Sequence, residues 1–504
     1  MYRSKNCFYS KASIHTFRVR HYNVNSNNNR LNKTISWLSD DRIYLYLGHI
    51  FFLGYLLGTL IYYKERLLNC DAGYYTFHMV NHEEVFVKHG RLISHFTQWF
   101  PIGMIKLGAG LKTVLITYSG SFGVWFYGLF LVAAHVFKSS RGGLFMALAL
   151  GMTMRYKHYA AHTEITFAMV VASLLYVWIT CNKENISWYS RRAYWIILSI
   201  LSCWLYIIHP IIILPLGILL GAEYFFSRHY KNPAFYISVL GVLLVFALKF
   251  YDVSQDPYES EKTSLLANLS DVWNNMDSYY AYHIVKFYFN TEFMFPLLTT
   301  LFCSAYLLFK KEIMPVVTLV VGTLVILMVV LLTHTYLRGN VYYMIDGYLG
   351  MLGMVWAGAI YFFLRKSEKR GNLNLILIVL TFFCMDRIQD KHTFFEDRLD
   401  GYTETLDLYP EANKLFVPQR YMDWDKIWFP YETPLESLIL TSIEGKEHSR
   451  TLYIDYDNKG YSWIEGRDST FLMFTNRPHL SELNPRFFKL PTGPYKEADG
   501  VTWK

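Results

Sequence analysis

The side chains able to do chemistry concentrate in a few short polar stretches, each beside a long apolar run. Asp71 lies in "LLNCDAGYYTFHMVNHEEVFVKHGR", a few residues past the first such run. A carboxylate held at the hydrocarbon edge is costly unless it is used, so a general base or a metal-binding carboxylate is one reading of Asp71. In the same stretch Tyr75, Met79 and Phe86, with Val80 and Val87, approximate one helical face, and His78, His82, Glu83 and Glu84 lie opposite. That pattern also describes an amphipathic helix on a membrane surface, with charges that serve solvation, and this reading suits His82, Glu83 and Glu84 better than Asp71. In "HYAAHTEITFAM", His158 and His162 are one helical turn apart and Glu164 stands at the mouth of an apolar run. Such a set could bind a divalent metal, although the HExxH arrangement is absent. "THTYLRGNVYYMIDGY" places His334, Arg338, Tyr342, Tyr343 and Asp346 between two apolar runs. A planar guanidinium flanked by phenols suits a phosphate or diphosphate, and an arginine that merely snorkels to lipid headgroups is the alternative. His209, at the "IIHP" turn, is a structural histidine or at most a ligand for metal or phosphate.

The elements that must position these residues are helices in a bilayer. The chain has 504 residues, of which 53% are hydrophobic and 17% charged, and its mean hydropathy is positive, which a soluble protein of this length rarely shows. An aromatic share of 18% fits rings at membrane interfaces or stacked on sugars. A spanning helix needs about 20 mostly apolar residues. Runs that approach this fall near 43–63, 118–137, 143–158, 164–181, 194–208, 210–226, 234–250, 293–310, 314–333, 345–364 and 372–386, which predicts an all-α polytopic protein of about eleven transmembrane helices. The run from Ile102 to Ile116 contains Lys106, Lys112 and several glycines and reads as an interfacial helix within the first loop, 64–117.

Basic loops set the orientation. With residues 1–42 in the cytoplasm as a basic, Asn-rich, largely disordered segment, "KSSRGG", "NKENISWYSRR", "SRHYKNP", "KKE" and "RKSEKRGN" fall on the same side. The polar stretches with Asp71, Glu164, His209 and Arg338 then share the opposite face, and the first apolar run reads as a retained signal anchor. After the membrane domain, 43–386, residues 387–504 change to short alternating runs with scattered Pro, Gly and Trp, which predicts a small extracytoplasmic α/β domain. Six cysteines, none after Cys384 and none at metal-like spacing, exclude a disulfide framework or zinc module in that tail and favour a bacterial inner membrane. The net charge of +8 is spread over these loops and calls for no nucleic acid.

In layout the chain resembles the GT-C superfamily of membrane glycosyltransferases, closest to the protein O-mannosyltransferases and the lipid A aminoarabinose transferases. The resemblance covers roughly residues 43–230. It rests on the first span with its acidic residue, the loop running into "TQWFPIGMIKLGAGLKTVLITYSGSFGVWFYGLFLVAAHVF", and the carboxylate in "HTEITFAM". Where the family has a paired "DE" after the first span, this chain has "DA". The resemblance implies an enzyme that takes a sugar from a polyprenyl-phosphate carrier on the extracytoplasmic side. Asp71 would be the base or acceptor-orienting group, and Glu164 an acceptor or divalent-metal ligand. The chemistry is coherent on its own terms: a carboxylate activates the acceptor hydroxyl, and Arg338 or a metal stabilises the leaving phosphate. The expected partners are the sugar lipid, membrane lipids and an acceptor, either a protein or an envelope glycan. Other classes stay open: a transporter or flippase, a non-catalytic scaffold of an envelope complex, or a ligase or polymerase that relies on Arg and His more than on Asp71.

Overall fold

The computed structural model describes residues 41–88, 92–161, 164–228, 232–255, 269–335, 342–367, 371–423, 426–427, 430–473 and 477–501. Each of the eleven apolar runs forms a helix: α1 (Arg42–Ile61), α4 (Leu111–Leu131), α5 (Ser140–Gly151), α6 (Glu164–Thr180), α7 (Arg191–Tyr206), α8 (Ile213–Phe226), α9 (Pro233–Ser254), α11 (Met294–Phe309), α12 (Ile313–Thr333), α13 (Tyr342–Lys366) and α14 (Gly371–Asp390). Between them lie α2 (Cys70–His82), α3 (Ser94–Lys106) and α10 (Tyr280–Asn290), and α15 (His392–Asp407) follows α14. Length separates these helices. Among the described residues, five are long and apolar enough to cross a membrane, or six if α10 and α11, bent by 69° at their junction, make one broken span. The 12 residues of α5 reach about 18 Å, well short of a hydrocarbon core of about 30 Å.

The helices pack through small residues. A Cβ on Gly123 of α4 would stand 2.7 Å from Thr59 Oγ1 and 2.9 Å from the Leu56 Cα, so the glycine lets α1 and α4 approach closely. The central helix is α13, with 94% of its apolar window buried, whereas the window of α9 is 22% buried. Leu240, Leu243, Leu244 and Leu248 of α9, and Val317, Val320, Val321, Leu324 and Val325 of α12, form exposed apolar faces of the kind that a bilayer covers. This is the architecture of an integral membrane protein.

The tail contains a parallel three-stranded sheet of order β2-β1-β3, formed by β1 (Lys414–Pro418), β2 (Thr451–Asp455) and β3 (Lys496–Glu497). Parallel pairing of β1 and β2, with Lys414 opposite Thr451 and Pro418 opposite Asp455, requires a crossover, and α16 (Thr433–Ser442) provides it. The predicted α/β character of this region is thus present, although it is small beside the helices.

The tail shares one hydrophobic core with the first loop. Phe77, Met79 and Val80 of α2, Ile102 and Ile105 of α3, and Val114 and Leu115 of α4 join Leu415, Leu438, Ile439, Leu452, Phe471 and Phe488. Phe77 lies 5.8 Å from the Phe471 ring and 5.7 Å, stacked, from Phe488. The expectation of a helix lying on the membrane surface is corrected here. The apolar stripe of α2 is real, but protein covers it: Tyr75, Met79 and Val80 are buried and residues of the tail take the place expected for lipid. The expected interfacial helix over 102–116 is likewise broken between α3 and α4, at Leu107–Gly110. Gly108 adopts φ +87° there, and Arg486 of the tail donates to the carbonyls of Ile105 at 2.8 Å and Ala109 at 2.9 Å.

Candidate functional site

Asp71 lies in the first turn of α2 and its side chain is exposed. The partial positive charge of a helix N-terminus favours a carboxylate at that position. The chain reaches it through a sharp bend: Cys70 adopts φ +46°, a left-handed conformation that a non-glycine residue holds only under constraint. The constraint comes from the tail. The Cys70 N–H donates to Glu436 Oε1 at 2.6 Å, and the Cys70 thiol lies 3.1 Å from the Tyr431 hydroxyl.

Glu436, fully buried on α16, is the hub of this wall. Its Oε2 accepts from the Tyr402 hydroxyl at 2.8 Å and pairs with Arg398 Nη2 at 2.7 Å. Burial raises the Glu436 carboxyl, and Arg398, Tyr402 and the Cys70 amide oppose that shift. For Arg398, burial lowers the guanidinium, and Glu436, Tyr402 and Cys70 together more than offset it. Glu432, one turn before Glu436, is pushed up to about 8, first by burial and then by the charges of Glu436 and Asp71, with Lys88 and Arg398 pulling the other way. At neutral pH the site therefore presents an exposed Asp71 next to a protonated Glu432.

A stability test follows with a definite sign. Because the folded-state value of Glu432 lies above its ordinary 4.5, folding favours the protonated form. That contribution is complete below about pH 4.5 and is lost as pH rises through about 8. Relative to Glu432→Gln, the native protein is expected to lose on the order of 4 kcal/mol between those limits. Thermal unfolding of both proteins in detergent from pH 5 to 9 checks this; parallel curves would show that Glu432 titrates normally.

The other residues singled out in the sequence are placed as follows. Glu164 is the first residue of α6 and half-buried. His162 and Arg338 lie outside the described residues, as do the side chains of Tyr342 and Tyr343, whose backbone opens α13. His209 caps a short 3-10 turn, its Nδ1 accepting from the Ile211 N–H at 3.3 Å. Asp346 is sealed off: its oxygens accept from Arg155 Nε and Nη2, both at 3.1 Å, and from the backbone N–H groups of Arg155 at 3.1 Å and Lys157 at 3.0 Å. Glu83, expected to be merely solvated, accepts from Asn484 Nδ2 at 3.0 Å and stands 3.5 Å from Arg486, tying the end of α2 to the tail. Among the described residues no group of three His, Cys, Asp or Glu side chains converges as a metal site would require.

The sequence reading passed over Arg398, Tyr402, Tyr431, Glu432 and Glu436. Their signal was present in spacing: Arg398 and Tyr402 in "EDRLDGYTETL" are four apart, and so are Glu432 and Glu436 in "PYETPLESLIL". Glu436 is flanked there by Leu435, Leu438 and Ile439, so a carboxylate shares an apolar helix with a buried face and needs a cation.

The site and fold thus define a helical membrane protein whose α/β tail walls a carboxyl at the end of the first span. Compared with known proteins, the chain matches no family model, and neither a curated protein nor a solved structure matches it significantly.

Proposed function

We propose that this protein is a membrane glycosyltransferase that moves a sugar from a polyprenyl-phosphate carrier to an acceptor hydroxyl on the extracytoplasmic face. The observation that carries the reading is Asp71, exposed at a helix N-terminus beyond the first span and walled by the protonated Glu432. In this mechanism Asp71 accepts the proton of the acceptor hydroxyl as its oxygen bonds to the anomeric carbon. The bond from that carbon to the phosphate oxygen breaks, and its electron pair leaves with the polyprenyl phosphate. Arg338, Tyr342 and Tyr343 take the role of stabilising the departing phosphate. With Glu436 paired to Arg398, a neutral Glu432 leaves the site without a second unpaired negative charge that would repel the donor, and its ionisation above about pH 8 would reduce donor binding. Glu164 has the role of orienting the acceptor.

The same reading places the protein in a bacterial inner membrane, with eleven crossings, residues 1–42 in the cytoplasm and the tail outside. Short helices such as α5 then cross where the bilayer thins or flanking polar ends reach the interface. Vesicles containing the purified protein, a labelled polyprenyl-phosphate sugar and candidate acceptors test the activity through release of polyprenyl phosphate and labelled product. Orientation is tested separately with Ser462→Cys, at an exposed tail position. Intact cells with a permeabilised outer membrane should label it with an impermeant thiol reagent; labelling that requires rupture of the inner membrane overturns the orientation.

A further inference from the structure

On the bundle's flank, α1 and α14 part to form a cavity of about 240 Å³ lined by Phe51, Gly54, Leu57, Gly58, Met385 and Ile388, with Tyr62, Tyr159 and Gln389 at its polar end. The lining runs from Phe51 to Tyr62, about 16 Å along α1. Both flanking helices carry exposed apolar stripes, Ile50, Leu53, Leu57 and Ile61 on α1 and Leu375, Val379 and Phe382 on α14. What stands beside this cavity in a membrane is therefore hydrocarbon.

One polar side chain interrupts the apolar lining. His158 is 2% exposed, and among the described residues neither of its ring nitrogens has a hydrogen-bond partner. Nε2 faces Gly58, 3.3 Å from where a Cβ would stand, and the Tyr55 ring meets the imidazole edge-on at 4.6 Å. Leaving buried polar atoms unmatched is costly, so a ligand that supplies the partner gains that energy back. Nearby Arg66 is already engaged: it donates to the His158 carbonyl and, at 2.9 Å, to Ser119 Oγ. The site thus offers an imidazole to a neutral oxygen better than it offers a cation to a phosphate.

We infer that this groove holds one acyl chain of a membrane glycerophospholipid, with its ester oxygen hydrogen-bonded to His158. The inference is independent of sugar transfer and stands or falls on lipid binding alone. The test uses the full chain in vesicles of phosphatidylethanolamine and phosphatidylglycerol that contain a phosphatidylglycerol with a diazirine acyl chain. Photolabel is expected on peptides spanning 51–62 and 385–389, saturating with probe and competed by unlabelled phosphatidylglycerol. Gly58→Leu, which fills the groove, should abolish it. His158→Phe should weaken it by about tenfold, the equivalent of one buried hydrogen bond. Met385→Trp closes the same groove from α14 and serves if Gly58→Leu does not fold. Labelling that rises linearly without competition, spreads evenly over α9 and α12, or is displaced by polyprenyl phosphate rather than phosphatidylglycerol overturns the inference whatever the variants show.

Discussion

Asp71→Asn is expected to reduce sugar transfer by about 10²–10⁴-fold, the contribution of a positioned general base. The amide keeps the size and hydrogen-bonding reach of the side chain and removes its capacity to take a proton. Stability should change little. Asp71 is exposed; the favourable interaction lost is that of its charge with the start of α2, about 0.3–1 kcal/mol, and the repulsion between Asp71 and Glu432 is lost with it. The variant should therefore insert, purify and unfold much as the native protein does, while release of polyprenyl phosphate falls by the same factor as sugar transfer. Glu164→Gln gives the contrast, since an acceptor-orienting residue should raise KM more than it lowers kcat. Normal product from Asp71→Asn would remove the basis of the enzymatic reading and turn attention to a scaffold or transporter.

How far the sequence anticipates this site depends on the range of the interactions. The helices were legible because every apolar run is local and continuous. Their lengths were less so, since α5 ends at Gly151 where Arg387 of α14 takes the Gly151 and Met152 carbonyls at 2.8 and 2.7 Å, a contact made across more than two hundred residues. The stripe of α2 was legible as a stripe, because Tyr75, Met79 and Val80 repeat at helical spacing. What covers it was not, because the partners lie about four hundred residues on: Asn81 and Glu83 meet Glu482 and Asn484. A hydrophobic face looks the same in sequence whether lipid or protein buries it. The same holds for charge. Asp71 drew attention because it stands near a span, while Glu432 and Glu436 sit in a segment whose burial arises only from its packing against β2, α15 and, far away in sequence, α2.

Asp346 shows the converse, a residue whose sequence context suggested phosphate chemistry and whose surroundings assign it to architecture. Both it and Arg155 have fully buried side chains, and Arg155 also pairs with Glu292 and lies 3.6 Å over the Tyr288 ring. Asp346→Ala is expected to destabilise the protein by about 3 kcal/mol, since it removes one of the two carboxylates that neutralise a buried guanidinium and leaves Glu292 alone with it. It also leaves the N–H groups of Arg155 and Lys157 without their acceptor, and that part of the cost is separable. Asp346→Asn retains a carbonyl oxygen for those amides and should recover some of the loss. Combining Arg155→Met with Asp346→Ala removes the under-compensated charge, so the double variant should cost clearly less than the sum of the two single ones. Unfolding in detergent for the four proteins gives the coupling directly. Additive losses would mean that Arg155 and Asp346 do not depend on each other. A stable Asp346→Ala that nevertheless fails to bind the sugar donor would return Asp346 to the phosphate site, because a carboxylate locked into the fold cannot be removed at no structural cost.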